Sequence, residues 1–178
     1  ACEPIQLPGP IGGGGGPTIN TAAPVPVALL VPGGGSAGDG IVARDLENAA
    51  RLAMADLRGV EIDLRVYNTG GNAQQAAALA QRAVDDGAKV ILGPLFAEAA
   101  NAAGVAVADD GVNVLSFSNN TSIAGGNVFV LGNTFDNTAD RLVNYAKQQG
   151  KQRFLVVHAR NLAGQVGRDA IRKALARH

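Results

Sequence analysis

Few residues in this 178-residue chain invite a chemical reading. Gly34-Gly35-Ser36-Ala37-Gly38 spells G-x-S-x-G, the turn that presents a nucleophilic serine, and His158 ends the last apolar run, where the histidine of such a hydrolase belongs. Against this, Ser36 follows the first apolar run of the chain, whereas a nucleophile elbow has several strands before it. His158 reads equally well as a strand-end residue or a contact of a second lobe. A hydrolase using Ser36 is therefore a remote alternative. The same stretch, Gly33 to Gly38, contains G-x-G-x-x-G, the dinucleotide fingerprint. Its context fails, because the second strand ends in Tyr67-Asn68 rather than an acidic residue able to hold a ribose. Asp39-Gly40 also places the helix start later than a pyrophosphate needs. No P-loop pattern is present. Asp85-Asp86 and Asp109-Asp110 fall at helix C-termini and read as solvated faces, not as acid/base pairs. One Cys and two His cannot build a common Cys/His zinc site, so no metal or cofactor is implied.

Composition narrows the classes further. Lys+Arg 15 against Asp+Glu 15 gives formal net charge +0, so no global field draws in nucleic acid or an anionic membrane. Aromatic residues make up 4% of the chain and Trp is absent, which leaves base-stacking surfaces poorly supplied and the core aliphatic. No apolar run reaches the ~18 residues of a membrane span.

The elements that must position these residues follow a strand-helix rhythm. Val27 to Val31 is a continuous apolar run stopped by Pro32, which fits a strand buried on both faces. Val42, Leu46, Ala49, Ala53 and Leu57 recur at helical spacing, with Asp39 as N-cap and Gly59 as stop. Ile62, Leu64 and Val66 alternate as a second strand, and Asn72 caps a helix running to Asp86. Val90 to Leu92 is the third strand, and a helix then ends near Gly111. Val112 to Phe117 is the fourth strand and Val128 to Leu131 a short fifth. Thr134 caps a helix whose Leu142, Tyr145 and Ala146 face inward and which stops at Gly150. Arg153 to His158 reads as another strand and Gly164 to Ala176 as another helix. This pattern calls for a three-layer, doubly wound, mainly parallel sheet covered by helices on both faces.

Ligands of such sheets lie beyond the carboxyl ends of the strands. There the chain places Ser36, Asn68, Thr69, Phe96, Ser118, Asn119, Asn120 and Thr121, with His158 on the later strand. These nine are the candidate ligand-binding residues, although each polar one reads equally as a cap or turn residue.

Residues 1–24 are of another kind. Pro4, Pro8, Pro10, Pro17 and Pro24 surround the run Gly12 to Gly16, with almost nothing to bury, as in a disordered tether. Ala1-Cys2 at its tip resembles the processed start of a bacterial lipoprotein, which implies a lipid on Cys2 and, with Glu3 following, export to the outer membrane. The alternative is a free thiol on a flexible end.

Across Val25 to Ala176 the order of segments resembles the beginning of a type I periplasmic binding protein. The carrying runs are Val27 to Val31, Asn48 to Ala53, Val90 to Leu95, Val114 to Asn119, Val128 to Gly132 and Phe154 to His158. Within that superfamily, Ile91 to Phe96 and Leu115 to Ser118 look most like the lipoprotein activators of penicillin-binding proteins (LpoA-like). The resemblance implies two α/β lobes, here residues 25–132 and the opening of a second at 133–178, with no catalysis. It implies a periplasmic binding or regulatory role with a peptidoglycan synthase as partner. The alternative is the receptor of an ABC transporter for a small polar ligand. The amino-acid binders of the superfamily use a serine where this chain has Ala97 and a tyrosine where it has Ala163; Thr121 keeps their threonine. That departure counts against amino-acid binding as those receptors practise it.

Overall fold

The computed structural model describes residues 16–178, so Cys2 and the first part of the tether lie outside the described residues. β1 (Val25–Val31) is buried along almost its whole length, because it is an interior strand of five and meets a helical layer on each side. It pairs in parallel with β2 (Ile62–Asn68) on one flank and β3 (Val90–Leu92) on the other. β4 (Asn113–Ser116) and β5 (Val128–Val130) follow in parallel, giving the order β2-β1-β3-β4-β5.

The period-two alternation of β1 sorts the two interfaces. Leu29 and Val31 face α1 (Ala37–Asp56), where Ala43, Leu46 and Ala50 cover them together with Leu64, Val66, Leu92 and Phe117. Ala28 and Leu30 face α2 (Ala73–Asp85) and α3 (Ala97–Ala106), in a core of Ala80, Ala83, Ile91, Ala103, Val107, Val112, Val114 and Val128. Small residues at Ala80, Ala83, Ala99, Ala100 and Ala103 let both helices lie close to the sheet and to each other. Three layers around a doubly wound parallel sheet therefore stand as the spacing predicts.

Three local expectations are corrected. Ser36, not Asp39, is the N-cap of α1; Asp39 is the third helical residue, and its carboxylate completes a capping box. The buried stripe of the helix is also one position away from the expected one. Ala43, Leu46 and Ala50 turn inward, whereas Val42, Ala49, Ala53 and Leu57 are exposed. α3 ends at Ala106, and turns occupy the stretch up to Gly111.

The tail departs further. α4 (Phe135–Gln148), capped by Thr134, and α5 (Leu162–Arg177), capped by Asn161, bury a separate cluster of Ala139, Val143, Ala170 and Ala174. Leu142 and Tyr145 are not inward: they are 61% and 64% exposed. Arg153 to His158 is not a strand, because no strand among the described residues pairs with it. Leu155 and Val157 stand 90% and 87% exposed. A strand exists only through its ladder, so an apolar alternation without a partner stays an unpaired extended segment.

Candidate functional site

The sheet order reverses between β1 and β3. The chain leaves β1 toward α1 on one face and leaves β3 toward α3 on the other, which opens a crevice at their carboxyl ends. Four loops meet there, and short backbone bonds weld them. Gly70 N–H donates to Gly33 O at 2.9 Å and Thr69 N–H to Val31 O at 2.8 Å, joining the loops after β1 and β2. Gly93 N–H donates to Leu115 O at 2.9 Å and Phe117 N–H to Pro94 O at 3.1 Å, joining those after β3 and β4. Gly93 sits at φ 83°, and a Cβ there would strike the Leu30 carbonyl, so only glycine lets the third loop cross β1 so closely.

The predicted residues divide by what their side chains do. Thr69 and Ser118 are buried, and their hydroxyls are engaged by loop backbone. The Thr69 hydroxyl donates to Val31 O at 3.0 Å and accepts Gly71 N–H, while Ser118 Oγ accepts Asn120 N–H at 3.1 Å. Buried polar groups must be paired, and here the pairs fix loop shape. Asn120 Oδ1 likewise accepts Ser122 N–H, capping the short 3-10 turn Thr121–Ile123. Asn68 is exposed and packs against Gly33. Phe96, Asn119 and Thr121 present exposed side chains at the same sheet edge.

Ser36 is committed to the fold. Its Oγ donates to Asp39 Oδ2 at 2.8 Å and accepts Asp39 N–H at 3.2 Å, and its own N–H donates to the same carboxylate at 2.9 Å. These bonds from Ser36, side chain first and backbone second, hold the Asp39 carboxyl below the usual aspartate range. The Ser36 backbone is ordinary extended chain at φ −70°, ψ 167°, not a strained elbow. His158 is exposed, with Nδ1 against Ala159 O at 2.9 Å. It lines an apolar cavity of about 470 Å³ between α4, α5 and the unpaired segment, together with Phe135, Leu142 and Ile171. Neither arrangement makes a nucleophile-base pair. The Asp39 carboxylate also stands where an anionic phosphate would have to approach the loop after β1, which disfavours a dinucleotide there.

Both acidic pairs are exposed as expected, Asp85-Asp86 at the end of α2 and Asp109-Asp110 in the turns after α3. Asp86 accepts the Tyr67 hydroxyl at 3.1 Å, and burial, then that bond, pushes the phenol above its ordinary value. Gln81 Nε2 reaches both Asp85 and Asp110 at 3.4 Å. Among the described residues there is no cluster of three or more His, Cys, Asp or Glu able to hold a metal.

One relationship was not legible in the spacing: Gly71, at φ 69°, lies directly against the Phe96 ring, tying the loop after β2 to the start of α3. Sequence reasoning had no signal for it beyond the Gly70-Gly71 pair.

A doubly wound α/β sheet with its loops gathered at the switch point is a common place for a ligand. A family model described as periplasmic binding protein matches residues 24–178, and the chain belongs to that family. Solved structures agree in fold. A putative branched-chain amino acid ABC transporter protein from Rhodospirillum rubrum superposes with TM-score 0.73 at 21% identity, over 86% of this chain and 47% of that one. A solute binding protein of an ABC transporter from Rhodopseudomonas palustris BisB5, in complex with 3,4-dihydroxy benzoic acid, gives 0.71 at 19%, over 86% and 44%. An ABC transporter substrate-binding protein from Desulfitobacterium hafniense, in complex with Leu, gives 0.67 at 16%, over 87% and 48%. The chain thus spans a little under half the length of each of these three. A search of curated proteins finds no match.

Proposed function

We propose that this protein is a solute receptor: a non-catalytic, periplasm-facing binding protein that presents a small ligand to an ABC transporter. The observation that carries this reading is the division of labour at the sheet edge. The one serine with a hydrolase pattern is consumed as a helix cap, while Phe96, Asn119 and Thr121 remain free around a crevice placed by the sheet topology. Structural relatives whose titles print leucine or 3,4-dihydroxy benzoic acid as ligand support the same use of the fold. The residues from 133 onward belong to a second lobe in this proposal, and ligand binds between lobes that close on it. A lipid on Cys2, with Glu3 directing it to the outer membrane, remains part of the proposal as the device that holds the receptor at a membrane.

The second reading, an activator of penicillin-binding proteins, is favoured by one observation. Ala97 and Ala163 stand where the resemblance to amino-acid binders calls for serine and tyrosine, so the crevice lacks two of their polar contacts. Thermal denaturation with a panel of amino acids and aromatic acids separates the two. A receptor shows a saturable rise in melting temperature with at least one solute, as binding linkage requires. Flat melting curves, together with a penicillin-binding protein retained on the immobilised chain from solubilised envelope, would replace the receptor by the activator.

A further inference from the structure

We infer that residues 133–178 form a basic docking surface for a second copy of this chain, which offers it the acidic end of its own sheet. The inference is independent of the receptor reading.

The formal net charge of +0 conceals two opposed parts. Residues 133–178 carry nine Lys and Arg against three Asp and no Glu, a charge of +6, whereas residues 1–132 carry six against twelve Asp and Glu, a charge of −6. Such an asymmetry acts on association rather than on fold. Within the basic part every carboxylate is already paired: Asp169 with Arg168 at 2.7 Å, Asp140 with Arg177 at 3.2 Å and His178 at 3.1 Å, and Asp136 with Lys173 at 4.0 Å. Arg141, Lys147, Lys151, Arg153, Arg160 and Arg172 therefore have no acid left to meet there, and none of the six makes an ion pair among the described residues. Lys147 lies instead 5.9 Å over the Phe154 ring.

The acidic counterpart sits at the amino ends of the strands. α2 ends at Asp85, with Asp86 as its C-cap, just before β3, and Asp109-Asp110 occupy the turns between α3 and β4. Gln81 Nε2 is 3.4 Å from both Asp85 and Asp110, which gathers the two pairs into one patch. All four carboxylates are exposed, and Arg82, 3.8 Å from Asp86, is the one cation within ion-pair distance of any of them among the described residues. A helix C-terminus disfavours negative charge, so the patch is not there to stabilise α2.

The two surfaces stand apart in one copy. Every ladder is parallel, so amino and carboxyl ends are opposite ends of the sheet, and the chain enters the basic part from the carboxyl end of β5. A second copy brings its acidic patch to the basic face, and potentials of opposite sign steer that encounter. Apolar side chains beside both surfaces add contact once they meet. Leu155 and Val157, 90% and 87% exposed, follow Arg153, and Val105, 70% exposed, stands four residues before Asp109. Both complementary surfaces belong to the same chain, which makes a further copy, rather than a foreign polyanion, the occupant.

Sedimentation velocity of the full chain, with a reductant so that Cys2 does not cross-link copies, tests this across ionic strength. At about 20 mM salt the weight-average mass is expected to climb with concentration to at least twice the 18.0 kDa of one chain, and at about 500 mM, where screening shortens to a few ångströms, to return to it. Lys151→Glu with Arg153→Glu, or Asp109→Lys with Asp110→Lys, weakens the association about tenfold or more. Both pairs are exposed and outside the core clusters, so the variants keep the fold, which equal melting curves at high salt verify. Mixing the two variants restores association, because one keeps the acidic patch and the other the basic face. A chain that stays at 18.0 kDa at low salt overturns the inference. So does association that salt and both reversals leave unchanged, or a mixture that stays monomeric. A monomeric chain that sediments with vesicles of anionic phospholipid overturns it as well and assigns the basic face to a membrane.

Discussion

The hydroxyl of Ser116, fully buried at the end of β4, donates to the carbonyl of Pro94 at 3.0 Å while accepting the Ser118 amide at 3.0 Å. One side chain thus locks the loop after β3 to the loop after β4, on the side of the crevice that carries Asn119 and Thr121. Ser116→Ala leaves a buried amide without that partner and a carbonyl with one bond fewer. The expected loss is about 1–3 kcal/mol. Urea unfolding checks it, and a midpoint equal to wild type would show that water replaces the hydroxyl.

Gly104 lies in α3 directly under Val128 of β5. A Cβ there collides with Val128 Cγ2, and Asn127 Nδ2 holds the Gly104 carbonyl at 3.0 Å, so the backbone cannot easily retreat. Glycine to alanine in a helix interior ordinarily gains about 1 kcal/mol. Here overpacking, typically costing about 1–3 kcal/mol, reverses the sign. Gly104→Ala should therefore destabilise the fold. In the background of Val128→Ala the same change should cost less or stabilise; a double-mutant cycle with no coupling between the two positions would contradict the contact.

The capping box of α1 should be visible in stability. Ser36→Ala removes the cap and is expected to cost about 1 kcal/mol. A serine-directed fluorophosphonate probe should label wild type and Ser36→Ala equally, since the hydroxyl is engaged in the capping box with Asp39 and His158 makes no bond to it. Selective labelling of Ser36 would restore the hydrolase.

Asp39 gives the same motif a pH signature. Its carboxyl is held below the ordinary aspartate value by bonds from Ser36. A group whose folded value is depressed contributes stability above its unfolded value and loses it as pH falls through the folded one. The advantage of wild type over Asp39→Ala should therefore be complete at neutral pH and shrink below about pH 4. An advantage that grows on acidification would refute the assignment.

The lipid proposed on Cys2 makes a separate prediction. Mass spectrometry of the membrane fraction should find the N-terminal peptide carrying a diacylglycerol, and Cys2→Ser should release the protein to the soluble fraction. Recovery of an unmodified thiol from the membrane would remove the anchor.

The strand-helix order of the sheet was legible because β1 and β3 are short apolar runs, β2 alternates, and the helix after β2 carries its own cap at Asn72. The face of α1 was not, because Ser36 and Asp39 form a reciprocal box. Either can be named as the cap from sequence, and the small residues Ala43 and Ala50 that meet the sheet are no more apolar than Val42 and Ala49 beside them, so periodicity alone does not choose the face. The Arg153 to His158 strand failed for a different reason: alternation specifies a face, but only a neighbouring ladder makes a strand. At the sheet edge, spacing named the loops that meet there without separating residues that shape them, such as Thr69 and Ser118, from those that face outward. Which hydroxyl is already spent depends on carbonyls brought near by the fold, here Val31 O, and no local pattern records that.

The strand order also bears on how the chain comes together. Every ladder in the sheet is parallel, so none can close through a tight hairpin, and each pairing waits for a crossover, helical for all but β4 with β5. β1 sits between β2 and β3 and is complete only after two such crossovers have formed. Loop-closure entropy must therefore be met before the most apolar strand is covered, which places this lobe among slower-folding topologies. Until β3 docks, Val27 to Val31 is the segment most exposed to misassociation.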